Sequence, residues 1–330
     1  MKVVVGSGEA KALLKYCRPK NGMPLKLTAG GDGLVVDFHD YTMYIQLNIE
    51  GSVLEPGSVC VEGELFIKAV NTMAGALTLE AQDDQLVLNG VMRLGVVVDS
   101  PPDFPSCGEV LAQLNMSHCL KRTTFATDAS EGEMCEVVYL DSDAVVATDK
   151  SRIVIYDFDS GLPGVAVPAV LTKPLLTMGE VTISDSEYYL IFAGGGVRIA
   201  LPKIQVPYPE YRKYVPKLSE RTAAKVNRKD FIDLVKRASL AKTENSSIGI
   251  CFVRLRGGEL EVYARDSLVE YREVIPAEVN GEPTETSLSY TRLMDFLQQA
   301  DDIVEIYIRE MNPVLLACPG YQCVLMPVRT

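Results

Sequence analysis

The chain has 330 residues, of which 47% are apolar and 23% are charged, and its formal net charge is −12. This length and apolar fraction suffice for two or three domains that each bury a core, and they argue against a disordered chain. Because phosphate binding is driven by lysine and arginine, an acidic protein needs segregated basic residues to act on DNA.

The N-terminus, MKVVVGSGEA, has neither the basic region nor the cleavage site of a signal peptide, and no run approaches the roughly 18 uncharged apolar residues of a membrane helix. We therefore expect a cytoplasmic protein without membrane contact. Eight cysteines lie scattered without the CxxC spacing of zinc or redox sites, and we interpret them as buried thiols. The closest pair, Cys318 and Cys323, could bind a metal only with two further ligands.

One pattern of helices and strands occurs three times along the chain. The first third predicts a helix near residues 9–16, strands near 34–38 and 43–49, a helix near 63–73, and alternating strands in LTLEAQDDQLVLNGVMRLGVVV. The second third predicts a helix near 117–126, strands near 136–140 and 144–148, a helix near 169–178, and alternating strands in VTISDSEYYLIFAGGGVRIALP. The last third predicts a helix after the N-cap Asn227, strands near 249–255, 260–264 and 270–275, a helix near 289–299, and strands near 304–308, 314–317 and 323–327. Each copy is therefore predicted to contain a helix, three strands, a second helix and three more strands.

Two proline-rich segments separate the copies. They are PPDFPSCG, at residues 101–108, and VPYPEYRKYVPK, at residues 206–217, where helices and interior strands are disfavoured. We expect an α+β chain of three tandem domains, at residues 1–107, 108–216 and 217–330, in which two helices pack on antiparallel sheets.

Basic residues concentrate on the first helix of each copy and on the adjacent loops. They are Lys11, Lys15, Arg18 and Lys20, then Lys121 and Arg122, then Lys225, Arg228, Lys229, Lys236, Arg237 and Lys242. Acidic residues crowd the strands and turns instead. A basic lining in an acidic protein would suit sequence-independent tracking along phosphates, although any single solvent-facing helix can carry lysine and arginine without a ligand.

Catalytic motifs are incomplete. Gly6 and Gly8 follow a predicted strand and precede a helix as in a dinucleotide fingerprint, but Lys11 stands at the third glycine position and no βαβ unit follows. With only His39 and His118, and with acid pairs confined to turns, the chain offers no convincing active site. We predict a protein that is not an enzyme and needs neither a cofactor nor a metal.

Four segments together resemble the bacterial sliding clamp, the beta subunit of DNA polymerase III, as a divergent member. They are ATDKSRI at 147–153, similar to the family's ATDGHRL; YPEYRKYVPK at 208–217, similar to FPDYRRVLP-K; VNRKDFIDLVKRASLAKTE; and VLMPVRT at 324–330, similar to VVMPMRL. The resemblance implies a head-to-tail homodimeric ring around duplex DNA. It also implies a clamp loader, and a polymerase tethered through a short linear motif that binds between the second and third domains.

The resemblance assigns residues to three surfaces. The peptide pocket would comprise Met134, Thr148, Lys150, Ser151, Arg152, Ile153, Pro209, Lys213, Tyr214, Pro313, Val324, Leu325, Met326, Pro327, Val328 and Arg329. The DNA-facing set would comprise Lys11, Lys15, Arg18, Lys20, Lys121, Arg122, Lys229, Lys236 and Arg237. The dimer interface would join Phe104 of one subunit to Val274 and Ile275 of the other.

The chain departs from the family at the pocket. Lys150 and Ser151 replace Gly-His, and Tyr214 replaces a small aliphatic residue at the rim. The alternative interpretation is therefore a clamp-like scaffold, viral or paralogous, that recruits repair or other partners without serving the main replicase. An enzyme on a repeated α+β scaffold is the third and weakest interpretation.

Overall fold

The structure is a computed structural model that describes residues 1–17, 19, 22–40, 42–162, 164–203, 208–241 and 249–329. The predicted DNA-facing residues Arg18 and Lys20 lie outside the described residues.

The secondary structure repeats in thirds. The first comprises β1 (Lys2–Val5), α1 (Ser7–Tyr16), β2 (Pro24–Gly30), β3 (Gly33–His39), β4 (Tyr44–Glu55), β5 (Gly57–Glu62), α2 (Gly63–Thr72), β6 (Leu77–Gln82), β7 (Gln85–Leu88) and β8 (Met92–Gly95). The second comprises β9 (Val110–Asn115), α3 (Ser117–Thr123), β10 (Val137–Leu140), β11 (Ala144–Thr148), β12 (Arg152–Asp157), β13 (Val165–Pro168), α4 (Ala169–Leu175), β14 (Glu180–Asp185), β15 (Tyr189–Gly194) and β16 (Val197–Pro202). The third comprises β17 (Thr222–Asn227), α5 (Arg228–Ala238), β18 (Ile250–Arg256), β19 (Glu259–Arg265), β20 (Glu270–Pro276), β21 (Glu278–Asn280), β22 (Thr284–Ser289), α6 (Tyr290–Gln299), β23 (Ile303–Ile308), β24 (Val314–Cys318) and β25 (Tyr321–Leu325).

The predicted order within each copy was wrong in one respect. Each third begins with a strand, and four strands of the common pattern, rather than three, lie between its two helices. The leading strand was left out of the repeat, although the residues before Gly6 were interpreted as a strand. β1 is four residues long and pairs with β4 and β6, which lie far along the chain, so local periodicity alone does not show that a strand begins every copy.

The chain divides into two compact units, Met1–Ser117 with Lys173–Ile204, and His118–Thr172 with Gln205–Thr330. In unit 1 a twelve-stranded sheet has the order β8-β7-β6-β1-β4-β16-β15-β14-β9, with β2, β3 and β5 paired beside this path. In unit 2 a nine-stranded sheet has the order β13-β10-β11-β12-β25-β24-β23-β17-β21, and a four-stranded sheet has the order β20-β19-β18-β22. The division into three domains stays a prediction.

The helices follow the predicted amphipathic pattern, most clearly in α5. Asn227 caps this helix by accepting hydrogen bonds from the backbone N–H groups of Lys229, at 2.9 Å, and Asp230, at 3.3 Å. Its buried residues, Phe231, Leu234, Val235 and Ala238, follow the i, i+3, i+4, i+7 spacing. Their burial leaves the polar face of the helix to solvent. None of the described helices is long and apolar enough to span a bilayer.

The cysteines are free, and six of the eight are buried as expected. Burial raises the pKa of the Cys119 and Cys251 thiols to about 12. The expectation was wrong for Cys107, which is exposed, and for Cys60, which is only partly buried. Cys107 belongs to the first proline-rich linker, where the backbone runs over the surface instead of entering a sheet.

Candidate peptide-binding pocket and basic helices

A cavity of about 290 Å³ lies in unit 2 beside the paired strands β12 and β25. In this pair Arg152 lies opposite Leu325, and Ile153 lies opposite Val324. The cavity is lined by Met134, Thr148, Lys150, Arg152, Ile153, Pro209, Tyr214, Pro313, Val324 and Met326. The pocket residues predicted from the resemblance thus supply its whole lining, and ten of those sixteen residues take part.

The other six predicted residues lie around this lining. Ser151 contributes its backbone carbonyl, which accepts a hydrogen bond from Met326 N at 2.9 Å. Leu325 is buried, and Lys213 forms an ion pair with Glu210. The last three, Pro327, Val328 and Arg329, continue the chain beyond Met326, where Val328 N donates to the carbonyl of Ser287 at 2.9 Å. The C-terminal segment is therefore held by backbone hydrogen bonds next to the pocket.

One wall of the pocket is the turn between β11 and β12. Thr148 Oγ1 donates to the carbonyl of Arg152 at 2.7 Å and accepts from Lys150 N at 3.2 Å. The Asp149 carboxylate accepts from the backbone N–H groups of Ser151 and Arg152, both at 3.0 Å. These hydrogen bonds fix the turn in one conformation, as Asp and Thr side chains commonly do.

Lys150 adopts the left-handed conformation in this turn, with φ of 64°. The left-handed region costs a residue with a Cβ about 1–2 kcal/mol and costs glycine little, so the glycine of the resembled motif would suit this position better. The Lys150 ammonium lies 3.3 Å from the Glu131 carboxylate, and both side chains are about half exposed. The lysine therefore brings a charged group to the pocket rim at the expense of backbone strain.

Arg152 anchors the turn from beneath. Its side chain is only 7% exposed, and its guanidinium donates to Asp295 Oδ2 and to the carbonyl of Phe125, each at 2.7 Å. Its Nε lies 3.0 Å from Asp149 Oδ2, but the N–H is not directed at that oxygen, so this contact is electrostatic and not a hydrogen bond. Arg292 Nε, at 3.5 Å, gives Asp149 a second positive neighbour. Buried charges of opposite sign thus compensate one another.

The linker that lines the opposite wall is itself anchored. Tyr208 stacks on Tyr139 with ring centroids 4.4 Å apart, and the Tyr211 hydroxyl donates to Asp141 Oδ2 at 2.7 Å. Burial, together with this carboxylate, raises the pKa of Tyr211. Tyr214 is 58% exposed at the rim. The pocket consequently has ordered walls and an exposed aromatic side chain at its mouth.

The predicted DNA-facing residues divide into two kinds. The lysines Lys11, Lys15, Lys121, Lys229 and Lys236 are exposed and form no ion pair with other described residues. The two arginines are held: Arg122 pairs with Asp301 at 2.7 Å, and Arg237 donates to Glu273 at 2.9 Å. Lys173 on α4 is also exposed, although it was not among the predicted DNA-facing residues. The sequence signal that could have identified Lys173 was its position in the last turn of the second helix of its copy.

Charge separates by secondary structure. In the described part of the chain, the α-helices carry eleven Lys and Arg residues and five Asp and Glu residues, a formal charge of +6. The whole chain has a formal charge of −12, so everything outside these helices is strongly acidic. Segregation of basic residues, which a role on DNA requires, is present.

The predicted interface residues lie as follows. Phe104 is partly buried, and the Arg198 guanidinium sits over its ring, 4.3 Å from the centroid. Val274 is 43% exposed on β20, whereas Ile275 is buried. β20 lies at one end of the strand order of its sheet, and β8 lies at one end of the strand order in unit 1. Among the described strands, each therefore has one backbone edge without a partner.

The chain has the fold of DNA sliding clamps, because it matches solved structures of such clamps over its full length. The structure of the Bacillus subtilis DNA polymerase sliding clamp matches with a TM-score of 0.88 and 19% identity, covering 100% of this chain and 99% of that chain. The C. crescentus beta sliding clamp matches with a TM-score of 0.87 and 20% identity, and the Pseudomonas aeruginosa DNA polymerase III subunit beta matches with 0.84 and 17%, each covering 100% of both chains.

Sequence relatives point to the same class. The chain is 22% identical to the beta sliding clamp of Treponema pallidum, over 92% of this chain and 91% of that protein. It is 25% identical to the beta sliding clamp of Synechococcus elongatus, over 90% of this chain and 87% of that protein. No protein-family model matches the chain. The predicted resemblance to bacterial sliding clamps and the α+β clamp fold are thereby confirmed.

Proposed function

We propose that the protein is a cytoplasmic DNA sliding clamp, a processivity factor without catalysis of its own. Two chains would join head to tail around duplex DNA, and the pocket beside β12 and β25 would hold a linear motif of a polymerase or clamp loader. The observation that carries this proposal is a repeated rule of strand pairing.

The rule concerns the seams where successive copies meet. At the first seam β4 pairs with β16, and at the second β12 pairs with β25, both antiparallel. In each case the third strand between the helices of one copy pairs with the last strand of the next copy. The equivalent strands without such a partner are β20, the third strand between the helices of the third copy, and β8, the last strand of the first copy. By the same rule each of them should pair with another strand. Their unpaired edges support pairing of β20 with β8 of a second chain, and the reverse.

This rule also refines the proposed interface. Leu94 on β8 is partly exposed, and Val96, just after the strand, is 37% exposed, which offers apolar surface to Val274 of another chain. Phe104 already packs within its own chain against Arg198. We therefore place the main interface contact of the first copy on β8 and not on Phe104.

The helix charges support the DNA role. A formal charge of +6 on the α-helices of an acidic chain favours contact with phosphates without base recognition. The exposed lysines are the natural contact groups, because every arginine on the described helices already has a carboxylate within 4 Å. Lysines that form no ion pair with the described residues can move from one phosphate to the next, which suits a protein that slides.

The pocket supports partner binding. Its lining is mostly apolar, with Met326 half exposed and the ordered turn of residues 148–152 alongside, which fits an apolar peptide anchor in a groove. Lys150 and Tyr214 also support the second candidate, a clamp-like scaffold that recruits repair or other partners in place of the main replicase. The two candidates share the ring and differ in the peptides that bind.

Two measurements test the ring. Light scattering after gel filtration should give a dimer, and a stable monomer over a wide concentration range would contradict closure. After loading, the protein should remain on circular DNA and run off linear DNA. Equal, salt-sensitive loss from both DNAs would refute topological binding.

A separate test addresses the pocket. Met326→Ala combined with removal of residues 328–330 should abolish binding of a polymerase-derived peptide and leave the dimer intact. Met311→Ala is the matched control, because Met311 is exposed and does not line the cavity. Unchanged peptide affinity in the pocket variant would refute the site, whereas binding of repair-factor peptides alone would favour the scaffold.

A further inference from the structure

The other seam between copies also carries a cavity, but its chemistry differs. The cavity has a volume of about 270 Å³ and lies in unit 1, where β4 pairs with β16. Residues 101–106 of the first proline-rich linker form one wall, as Pro209 and Tyr214 of the second linker do in the apolar pocket. We call this cavity the polar seam site. Equivalent positions in the repeat thus hold one apolar and one polar cavity of similar size.

The opposite wall is a row of four polar side chains on adjacent strands. Lys26 lies opposite Asp37, Asp37 lies opposite Gln46, and Gln46 lies opposite Arg198. On an open sheet such a row would be an ordinary solvated face. Here all four side chains are only partly exposed and line the cavity together with the linker. The row is therefore partly desolvated, which strengthens its electrostatic interactions.

Hydrogen bonds order most of this row. Gln46 Nε2 donates to Asp37 Oδ1 at 2.8 Å, and Arg198 Nη1 donates to Gln46 Oε1 at 2.7 Å. Arg198 Nη2 donates to Cys107 Sγ at 2.9 Å, and its guanidinium lies over the Phe104 ring. Since a guanidinium has five N–H donors, several on Arg198 remain available.

Lys26 adds further donors. Its ammonium has no hydrogen bond or ion pair to the described residues, although it lies on the cavity wall. Asp37 already accepts from Gln46, and Asp103, the other acid of the lining, is exposed on the linker, where solvent screens it. Lys26 and Arg198 therefore keep N–H donors available at the cavity, and their two positive charges equal the two negative charges of Asp37 and Asp103.

We propose that the polar seam site binds a carboxylate, the side chain of an Asp or Glu residue in a partner protein. Lys26 and the oriented fork of Arg198 would bind the carboxylate oxygens, and Phe104 with the linker prolines would contact the neighbouring apolar atoms. A cavity of this size holds one side chain and its flanking atoms. Carboxylate binding is argued from unit 1 alone, and only its assignment to a partner protein rests on the proposed function.

Cys107 provides a local reporter. A carboxylate bound to Arg198 would lie over this exposed thiol and slow its alkylation by restricting access of the reagent. The probes are acetyl-Leu-Glu-Leu-amide and acetyl-Leu-Gln-Leu-amide, which differ only in charge. N-ethylmaleimide incorporation at Cys107 is followed by peptide mass spectrometry, with Cys60 as the internal reference. The Glu peptide should slow the alkylation of Cys107, with an effect that saturates at high peptide concentration, and the Gln peptide should not slow it.

Two variants localise the effect. Lys26→Gln removes one charge and leaves the Arg198 hydrogen bonds in place, whereas Arg198→Lys keeps the charge and loses the fork. The half-effect concentration is the concentration of the Glu peptide that gives half of the maximal slowing of Cys107 alkylation. Each variant should raise it about tenfold, the value for one lost hydrogen bond to a charged group. Arg309→Lys, in unit 2 with a side chain that is 51% exposed, should leave that concentration unchanged.

The proposal is overturned if the Glu peptide causes no saturable slowing, if the Gln peptide acts equally, or if both site variants respond like the native chain. Retention on circular DNA and peptide binding at the apolar pocket are measured separately. A chain that fails those assays and still shows charge-dependent protection of Cys107 would contradict the proposed function while supporting the polar seam site.

Discussion

Replacing Arg152 by methionine tests whether the pocket turn depends on a buried charge network. The change removes a hydrogen bond to the Asp295 carboxylate and one to the Phe125 carbonyl, both 2.7 Å long. It also leaves Asp149, only 6% exposed, with Arg292 as its remaining positive neighbour at 3.5 Å. Both hydrogen bonds involve the charged guanidinium, and such bonds contribute about 1.5–3 kcal/mol each. Breaking a buried pair costs roughly 3–5 kcal/mol.

Because Asp295 is 41% exposed and becomes hydrated when its partner is lost, we expect the lower end, a loss of about 3 kcal/mol in the free energy of unfolding. The change also removes the contact of the guanidinium with the Phe125 ring, 5.0 Å from its centroid, so each of these lost interactions involves the charge. Urea unfolding followed by far-ultraviolet circular dichroism gives the change in midpoint, and hydrogen exchange assigns it to residues 148–152.

Arg212→Met is the matched control. Arg212 also pairs with an aspartate, Asp143, but both side chains are more than half exposed, and exposed pairs contribute only about 0–1 kcal/mol. If Arg152→Met costs no more than Arg212→Met, the buried network does not stabilise the turn. If Arg152→Met is destabilising and hydrogen exchange in the turn is unchanged, the stabilisation lies elsewhere in unit 2.

Three further outcomes follow from the helices and the linker. Lys229→Gln with Lys236→Gln should weaken DNA binding and reduce the slope of log affinity against log salt by about 2, whereas Arg237→Gln should change the slope little because Glu273 already holds that arginine. Equal slopes in both variants would contradict the division between free lysines and paired arginines. Asn227→Ala should destabilise α5 by about 1 kcal/mol through loss of the N-cap, seen as faster hydrogen exchange in that helix. At pH 8 a thiol reagent should modify Cys107 first among the cysteines of the native chain. Early modification of a buried cysteine would contradict the described packing.

Local periodicity predicted some elements and missed others for physical reasons. The α5 helix was predictable because its cap and its buried spacing are encoded within one short segment. The leading strands β9 and β17 were not, since each is stabilised by partners far along the chain. Among the described residues, both proline-rich segments lack α-helix and β-strand, but their prolines do not indicate that each segment lines a cavity.

The pocket shows the same limit. Motifs at Ala147 to Ile153 and Val324 to Thr330 resemble separate pieces of a known family, and the pairing of Ile153 with Val324 brings those pieces together. The left-handed conformation of Lys150 was beyond sequence reasoning, because the turn geometry depends on hydrogen bonds from Thr148 and Asp149. The sequence does not distinguish the helix residues that form ion pairs from those that do not, because this depends on the positions of the surrounding carboxylates.

The two seams explain how one repeated backbone could serve two kinds of contact. Strand pairing fixes where a cavity forms, because each linker runs beside the joined strands, while the alternating side chains on those strands determine what the cavity binds. At β12 and β25 these side chains are mostly apolar, and at β4 and β16 they are polar and hydrogen-bonded to one another. A partner carrying an apolar motif and an acidic residue could therefore gain affinity from two sites without strengthening either one, provided its linker spans them. Loss of one site would then weaken the binding of such a partner by the factor that the effective concentration contributes. The binding of a partner with only the apolar motif would be unaffected by Lys26→Gln.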